Sequence, residues 1–316
     1  MGLALLLALL TPGCSGHPIP QASPSRSGTA TQVAPRPQPS PASAEEVLAY
    51  VRALSVDIGI RRAGTAGADR AADFIDAKLR EFGYEVTRQS LGLPNGKATC
   101  NVIARTPGVG PGTYRLVIGA HFDTMPTGPG ANDNASGVGV VMSLARAWRY
   151  RDLPVPVEWV AFGGEERQEG PVGSHHMGSR AYVAALRPGE TGRIVAMLSL
   201  DEVGANSAHE VSSLGSGPQV AVQRLLAAAA AAGVPASYRK TPDWSDNGPF
   251  ELAGIPAAFL WNGDYPLFHT SKDTIAQVRE SQVLAALRIV EGFLNGLGAA
   301  DAQILQPPPT PTAQPS

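Results

Sequence analysis

Two glutamates stand side by side at the end of an apolar run: residues 157 to 170 read VEWVAFGGEERQEG. Adjacent carboxylates at a strand end repel each other and gain nothing from burial. Glu165 and Glu166 therefore imply chemistry that uses both. Residues of the same kind follow other apolar runs. His121 and Asp123 come after RLVIGA, Asp201 after AMLSL, and His269 after AAFLWNGDYPLF; Asp133, in GANDNASG, lies twelve residues beyond His121. In open α/β sheets, sites form just beyond the carboxyl ends of the strands. So many acids cannot all stay ionised in a partly buried place without counter-charge. Divalent cations supply it, and imidazole with carboxylate but no thiolate suits zinc, and also manganese or cobalt.

The elements that would position these residues alternate along the chain. SAEEVLAYVRAL starts a helix with Ser43 as N-cap and Glu46 three residues on. AGADRAADFIDAKLREFGY is a second helix. YEVTRQSL and ATCNVIART alternate as strands do, and TYRLVIGAHFD is a strand with an apolar centre. NASGVGVVMSLARAW, GSRAYVAAL, GPQVAVQRLLAAAAAAG and SQVLAALRIVEGFLNGL read as helices; VPVEWVAFGG, RIVAMLSLDEVG and IPAAFLWNG read as strands. Near-continuous apolar strands separated by helices predict an α/β fold: a mostly parallel mixed sheet flanked by helices on both faces, with an antiparallel edge at the first two strands.

The chain has 316 residues, 43% hydrophobic and 16% charged, with 25 Lys and Arg against 27 Asp and Glu. That balance, without a basic cluster, excludes a nucleic-acid partner as an expectation. Residues 1–16 carry a short apolar run, Leu3 to Leu10, and read as a signal peptide; TPGC resembles a lipobox, with lipid attachment at Cys14 as the only membrane link. Residues 17–43 read as a Pro/Ser-rich tether, 44–300 as the folded domain and 301–316 as a disordered tail. Cys100 is expected to be a buried free thiol. His175, His176 and His209 are expected at the surface, and His17 lies in the tether. No Gly-x-Ser-x-Gly elbow, phosphate-binding Gly-rich loop or His-Glu-x-x-His occurs, so a metal site must be assembled from distant segments.

GAHFDT, GANDNASG, FGGEE, MGSRAYV, LSLDEVG, SDNGPFELAGIPAAF and FHTSKDT, in that order, resemble the M28 family of zinc aminopeptidases over roughly residues 44 to 298. The upstream RRAGTAGADRAADFIDAKLREFGYEV is similar to that family's entry helix. The resemblance implies a zinc-exopeptidase-like three-layer sandwich and two Zn2+ acting on peptide substrates. Asp133 would bridge the ions, His121 and Asp201 would complete one site, and Glu166 and His269 the other. Glu165 would be the general base and Asp123 would orient His121. It also implies a cis peptide between Asp133 and Asn134.

The chain departs from the family pattern in three places. Asn247 stands where His is common, leaving Asp246 to serve a polar network near the substrate amine. Phe268 stands where some relatives have Tyr, with Tyr265 as a substitute. The loop RQEGPVGSHHMGS after Glu166 is longer than in the shortest relatives, and would shape the pocket with His175 or His176 near its rim. Trp244, Trp261 and Phe268 flank the late site segments as candidate pocket walls. The main expectation is an exported di-zinc aminopeptidase. The alternatives are a single-zinc glutaminyl-peptide cyclotransferase on the same fold and a non-catalytic binding lipoprotein.

Overall fold

The computed structural model describes residues 39–110, 112–167 and 174–298. The signal-peptide and lipobox reading, Cys14, most of the tether and the tail lie outside the described residues. Among those described, no helix is long and apolar enough to cross a membrane.

Seven α-helices are described: α1 (Ala44–Arg52), α2 (Ala66–Glu81), α3 (Gly137–Trp148), α4 (Met177–Ala184), α5 (Val220–Ala231), α6 (Asn247–Leu252) and α7 (Glu280–Asn295). Eight strands, β1 (Glu85–Gly92), β2 (Ala98–Arg105), β3 (Arg115–His121), β4 (Val157–Phe162), β5 (Ile194–Leu200), β6 (His209–Ser213), β7 (Ala236–Lys240) and β8 (Ala257–Trp261), form one sheet. Their order is β1-β2-β4-β3-β5-β8-β6-β7. The central run β4-β3-β5-β8 is parallel throughout, so its four carboxyl ends share one edge. Every residue of these strands is buried, which is why they read as unbroken apolar runs. The antiparallel pairing of β1 with β2 matches the expected edge.

Side chains alternate across the sheet with the two-residue period of a strand. On β3, Leu116, Ile118 and Ala120 join the larger core cluster with residues of α1, α2, α3, α5 and α7. Val117 turns the other way, to Tyr182 of α4 and Phe250 of α6. Helices therefore cover both faces, as the apolar pattern predicts.

Ser43 caps α1, its hydroxyl accepting from the Glu46 amide at 3.2 Å. The Glu46 carboxylate does not fold back to complete a capping box. It takes the Ser143 hydroxyl at 2.6 Å and Arg146 Nη2 at 2.9 Å, tying α1 to α3.

The structure adds β6 and β7, which HEVSS and ASYRK are too short and too polar to announce. β2 is antiparallel to β4 as well, and β6 is antiparallel to β8, so antiparallel pairing flanks the parallel run on both sides. His209 opens β6 and is buried, not at the surface, with Nε2 lacking a hydrogen-bond partner. Cys100 is free but only partly buried, because it sits on β2 next to the sheet's edge.

Arg61 is the other buried surprise. Its guanidinium is fully enclosed and donates to the carbonyls of Phe122, Leu54, Gly59, Pro129 and Gly130 at 2.7 to 3.1 Å. Burial lowers its pKa to about 10, with Asp123, Asp133, Asp273 and Glu166 opposing the fall, so it stays charged at neutral pH.

Removing that cation strands five carbonyls. Arg61→Met is expected to destabilise the metal-free protein by at least about 3 kcal/mol in urea unfolding; a loss below about 1 kcal/mol would contradict the role. Burial also holds His209 near pKa 4, below the unfolded value of about 6.5. The unfolded chain then binds the extra proton, and stability falls as pH drops from about 6.5 toward 4. Between pH 7.5 and 5 the wild type should lose about 2 kcal/mol more than His209→Gln; equal losses would exclude this source.

Candidate metal centre and active site

Each site residue is delivered by a strand end or the loop after it. β3 ends in His121, with Asp123 two residues on. Asp201 is the first residue after β5, and Glu165 and Glu166 follow β4 across Gly163 and Gly164. Those glycines have separate reasons. A Cβ on Gly163 would lie 2.4 Å from the Cys100 carbonyl, and Gly164 has φ +76°, which bends the chain so that both glutamates enter the site.

The side chains converge around Asp133. Its Oδ1 lies 3.2 Å from His121 Nε2, and its Oδ2 lies 3.3 Å from His269 Nε2. Asp201 Oδ1 is 3.3 Å from the same His121 nitrogen, and Glu166 Oε2 is 2.9 Å from the same His269 nitrogen. Two three-residue groups follow, His121–Glu165–Asp201 and Asp133–Glu166–His269, each with ligand atoms within 4.8 Å of one another. Asp133 thus faces both groups with one oxygen each. The Asp133–Asn134 peptide is cis, as the resemblance implies. His269, alone of the five proposed ligands, is partly exposed, its side chain at 32%, on a loop residue of φ 57°.

The electrostatics demand positive charge. Burial, then repulsion from Asp133, drives the Glu166 carboxyl well above its usual range. Asp201 is pushed up to about 6, by burial first and then by Asp133 and Glu165 against the pull of His121. Burial would lower His269, but hydrogen bonds to Asp133 and Glu166 raise it to about 10. A donor set of two imidazoles and carboxylates fits zinc or a similar divalent ion.

Asp123 does more than face His121. His121 Nδ1 lies 3.2 Å from the Asp123 carbonyl and 3.7 Å from Oδ1. The Asp123 carboxylate instead accepts the amides of Gly164 and Glu165 on Oδ1, at 2.9 and 3.0 Å, and that of Glu166 on Oδ2 at 3.3 Å. One side chain at the end of β3 therefore holds the backbone beneath both glutamates. Asp273 does the same for Asp133, its oxygens taking the amides of Asn132 and Asp133 at 2.8 and 3.0 Å. Ser245 donates to Asp201 Oδ2 at 2.9 Å.

A cavity of about 460 Å³ opens over the site. Trp244, Trp261, Tyr265 and Phe268 all line it. Phe268 is exposed and stacks on His269 with centroids 3.5 Å apart. The Tyr265 hydroxyl donates to Asp273 Oδ1 at 3.3 Å. Asp246 is fully buried next to the site, with burial and then Glu165 raising its carboxyl to about 7. His176 is not at the surface: it is 2% exposed, and its Nε2 lies 2.8 Å from Glu165 Oε1. His175 is partly buried and also lines the cavity. His175 and His176 both line the cavity, as the alternative reading of the loop after Glu166 expected, whereas the burial of His176 and the roles of Asp273, Ser245 and Arg61 were not foreseen. For Asp273 and Ser245 a signal existed, in SKDT and SDN, segments already set apart by their position near the last strand.

A model described as peptidase family M28 matches residues 101–294. The leupeptin-inactivating enzyme 1 of Streptomyces exfoliatus is 31% identical over 268 residues, which cover 83% of this chain and 58% of that relative. The chain spans about half the length of the curated relatives it matches. Among solved structures, a zinc aminopeptidase from Bacillus subtilis aligns with a TM-score of 0.74 at 18% identity, over 83% of this chain and 98% of its own. The glutaminyl cyclase of Porphyromonas gingivalis aligns with a TM-score of 0.70 at 27% identity, over 80% and 98%.

Because Asp123 holds the amides under Glu165 and Glu166, Asp123→Ala is expected to weaken Zn2+ binding about 10–100-fold. Competition with a chromophoric chelator on the metal-free protein measures this, and unchanged affinity would refute it.

Proposed function

The chain belongs to peptidase family M28, and on that footing we propose that it is a metallo-aminopeptidase that binds two Zn2+ and removes N-terminal residues from peptides. The observation that carries the reading is the division of Asp133, one oxygen toward His121 and the other toward His269. That division suits a carboxylate shared by two ions, with Asp201 completing one ligand set and Glu166 the other. Mn2+ and Co2+ suit the same donors.

Bound zinc would polarise the scissile carbonyl and acidify a water for attack. The chain's own groups do the rest. Glu165 Oε2, 3.9 Å from His121 Nε2, is the free face of the base. It takes the proton of the attacking water and hands it to the leaving amine. Glu166 stays anionic as a ligand, which is why two adjacent glutamates are needed. Asp123 fixes the backbone that carries both, and so keeps base and ligand in register. Trp244, Trp261 and Phe268 give the cavity an apolar wall for the N-terminal side chain.

A second reading is glutaminyl-peptide cyclisation with one zinc, favoured by the 27% identity to a glutaminyl cyclase over 80% of this chain. The ligand candidates on both sides of Asp133, His121 with Asp201 and Glu166 with His269, favour hydrolysis. Export, read from the apolar segment Leu3 to Leu10, belongs to the proposal, as does a lipid anchor at Cys14.

The purified protein should hold two zinc ions per chain, cleave Leu-p-nitroanilide faster than charged aminoacyl p-nitroanilides, and lose activity to a chelator. Glu165→Gln should lower kcat about 10²–10⁴-fold with both ions retained. One ion per chain with turnover of Gln-peptides alone would establish the cyclase instead.

A further inference from the structure

His176 is built into the site from three directions. Its backbone, at φ 53° ahead of α4, adopts a left-handed conformation uncommon for a residue with a side chain. That conformation is held by the His176 amide donating to the Glu165 carbonyl at 2.7 Å and the Met177 amide donating to Gly164 at 2.8 Å. The ring is thereby turned inward, where Nε2 meets Glu165 Oε1 at 2.8 Å. On its other side, Nδ1 lies 3.1 Å from Asp243 Oδ1 and 3.0 Å from His175 Nδ1. Asp243 is held in turn, its Oδ2 accepting from Arg180 Nη2 at 2.8 Å.

Glu165 has two oxygens, and these contacts make them unequal. Oε1 is engaged by His176, and Oε2 faces His121. We infer that His176 is a positioning residue for the base: its Nε2–H, set by Asp243 and Arg180, holds Glu165 Oε1 so that Oε2 alone points to the reacting water. This rests on the assignment of Glu165 as base made above. A carboxylate on a flexible side chain gains from such a hold, since a displacement of about 1 Å costs on the order of 100-fold in rate.

His175, His176 and Asp243 also form a group with ligand atoms within 4.8 Å. Arg180 already pairs with Asp243 there at 2.8 Å, which offsets the negative charge that would draw an ion.

Two measurements decide the matter. In 15N NMR of the metal-free, histidine-labelled protein, His176 Nε2 should carry a proton, and its signal should shift in Glu165→Ala. In the zinc-loaded enzyme, His176→Ala should lower kcat about 10–100-fold with KM changed less than threefold and two ions retained. His176→Gln, which keeps an N–H donor, should recover at least a third of wild-type kcat, and Asp243→Asn should fall between wild type and His176→Ala. An unprotonated Nε2, a His176→Ala kcat within twofold of wild type, or equal losses in the Ala and Gln variants would overturn the inference. So would a third ion per chain that disappears in His175→Ala. A wild type without peptidase activity would fail the functional reading alone, because the NMR result stands apart from turnover.

Discussion

Crowded negative charge in a dry place is the constraint on which the site depends. Asp123, Asp133, Glu165, Glu166, Asp201 and Asp273 are all buried along one edge of the sheet. The protein counters them in three ways. Arg61 places a permanent cation beneath the site, locked by five carbonyls. Backbone amides take up two of the carboxylates, Asp123 and Asp273. What remains faces the two imidazoles, and that remainder attracts divalent metal. A fold that ended its strands in these residues without such relief would be unstable.

The sheet's order makes the crowding possible. Because β4, β3, β5 and β8 are parallel neighbours, residues from distant stretches of sequence emerge a strand's width apart. Asp123 and Asp273 then convert that coarse placement into finer geometry. Each grips the amides under the residues it serves, so the position of a ligand is set by backbone hydrogen bonds rather than by its own rotamer.

Much of this was legible in the sequence. The four central strands are buried on both faces and so appear as apolar runs, and chemistry-bearing residues follow each one. That pattern located His121, Asp133, Glu165, Glu166, Asp201 and His269 together. β6 and β7 escaped because short strands with polar residues carry no period. The burial of His176 and His209 escaped for a different reason: a histidine in a polar stretch has no sequence signature for burial, and the partners of His176, Glu165 and Asp243, face it only after folding. Arg61 was hidden likewise, since an Arg in a polar stretch reads as solvated until loops close around it.

The partial exposure of His269 makes the two ligand groups unequal partners with solvent. His121, Asp133, Glu166 and Asp201 are walled in by the sheet edge, whereas His269 rides on a loop with Phe268 stacked on its ring. Solvent therefore touches the centre on the His269 side, while the His121 side lies enclosed.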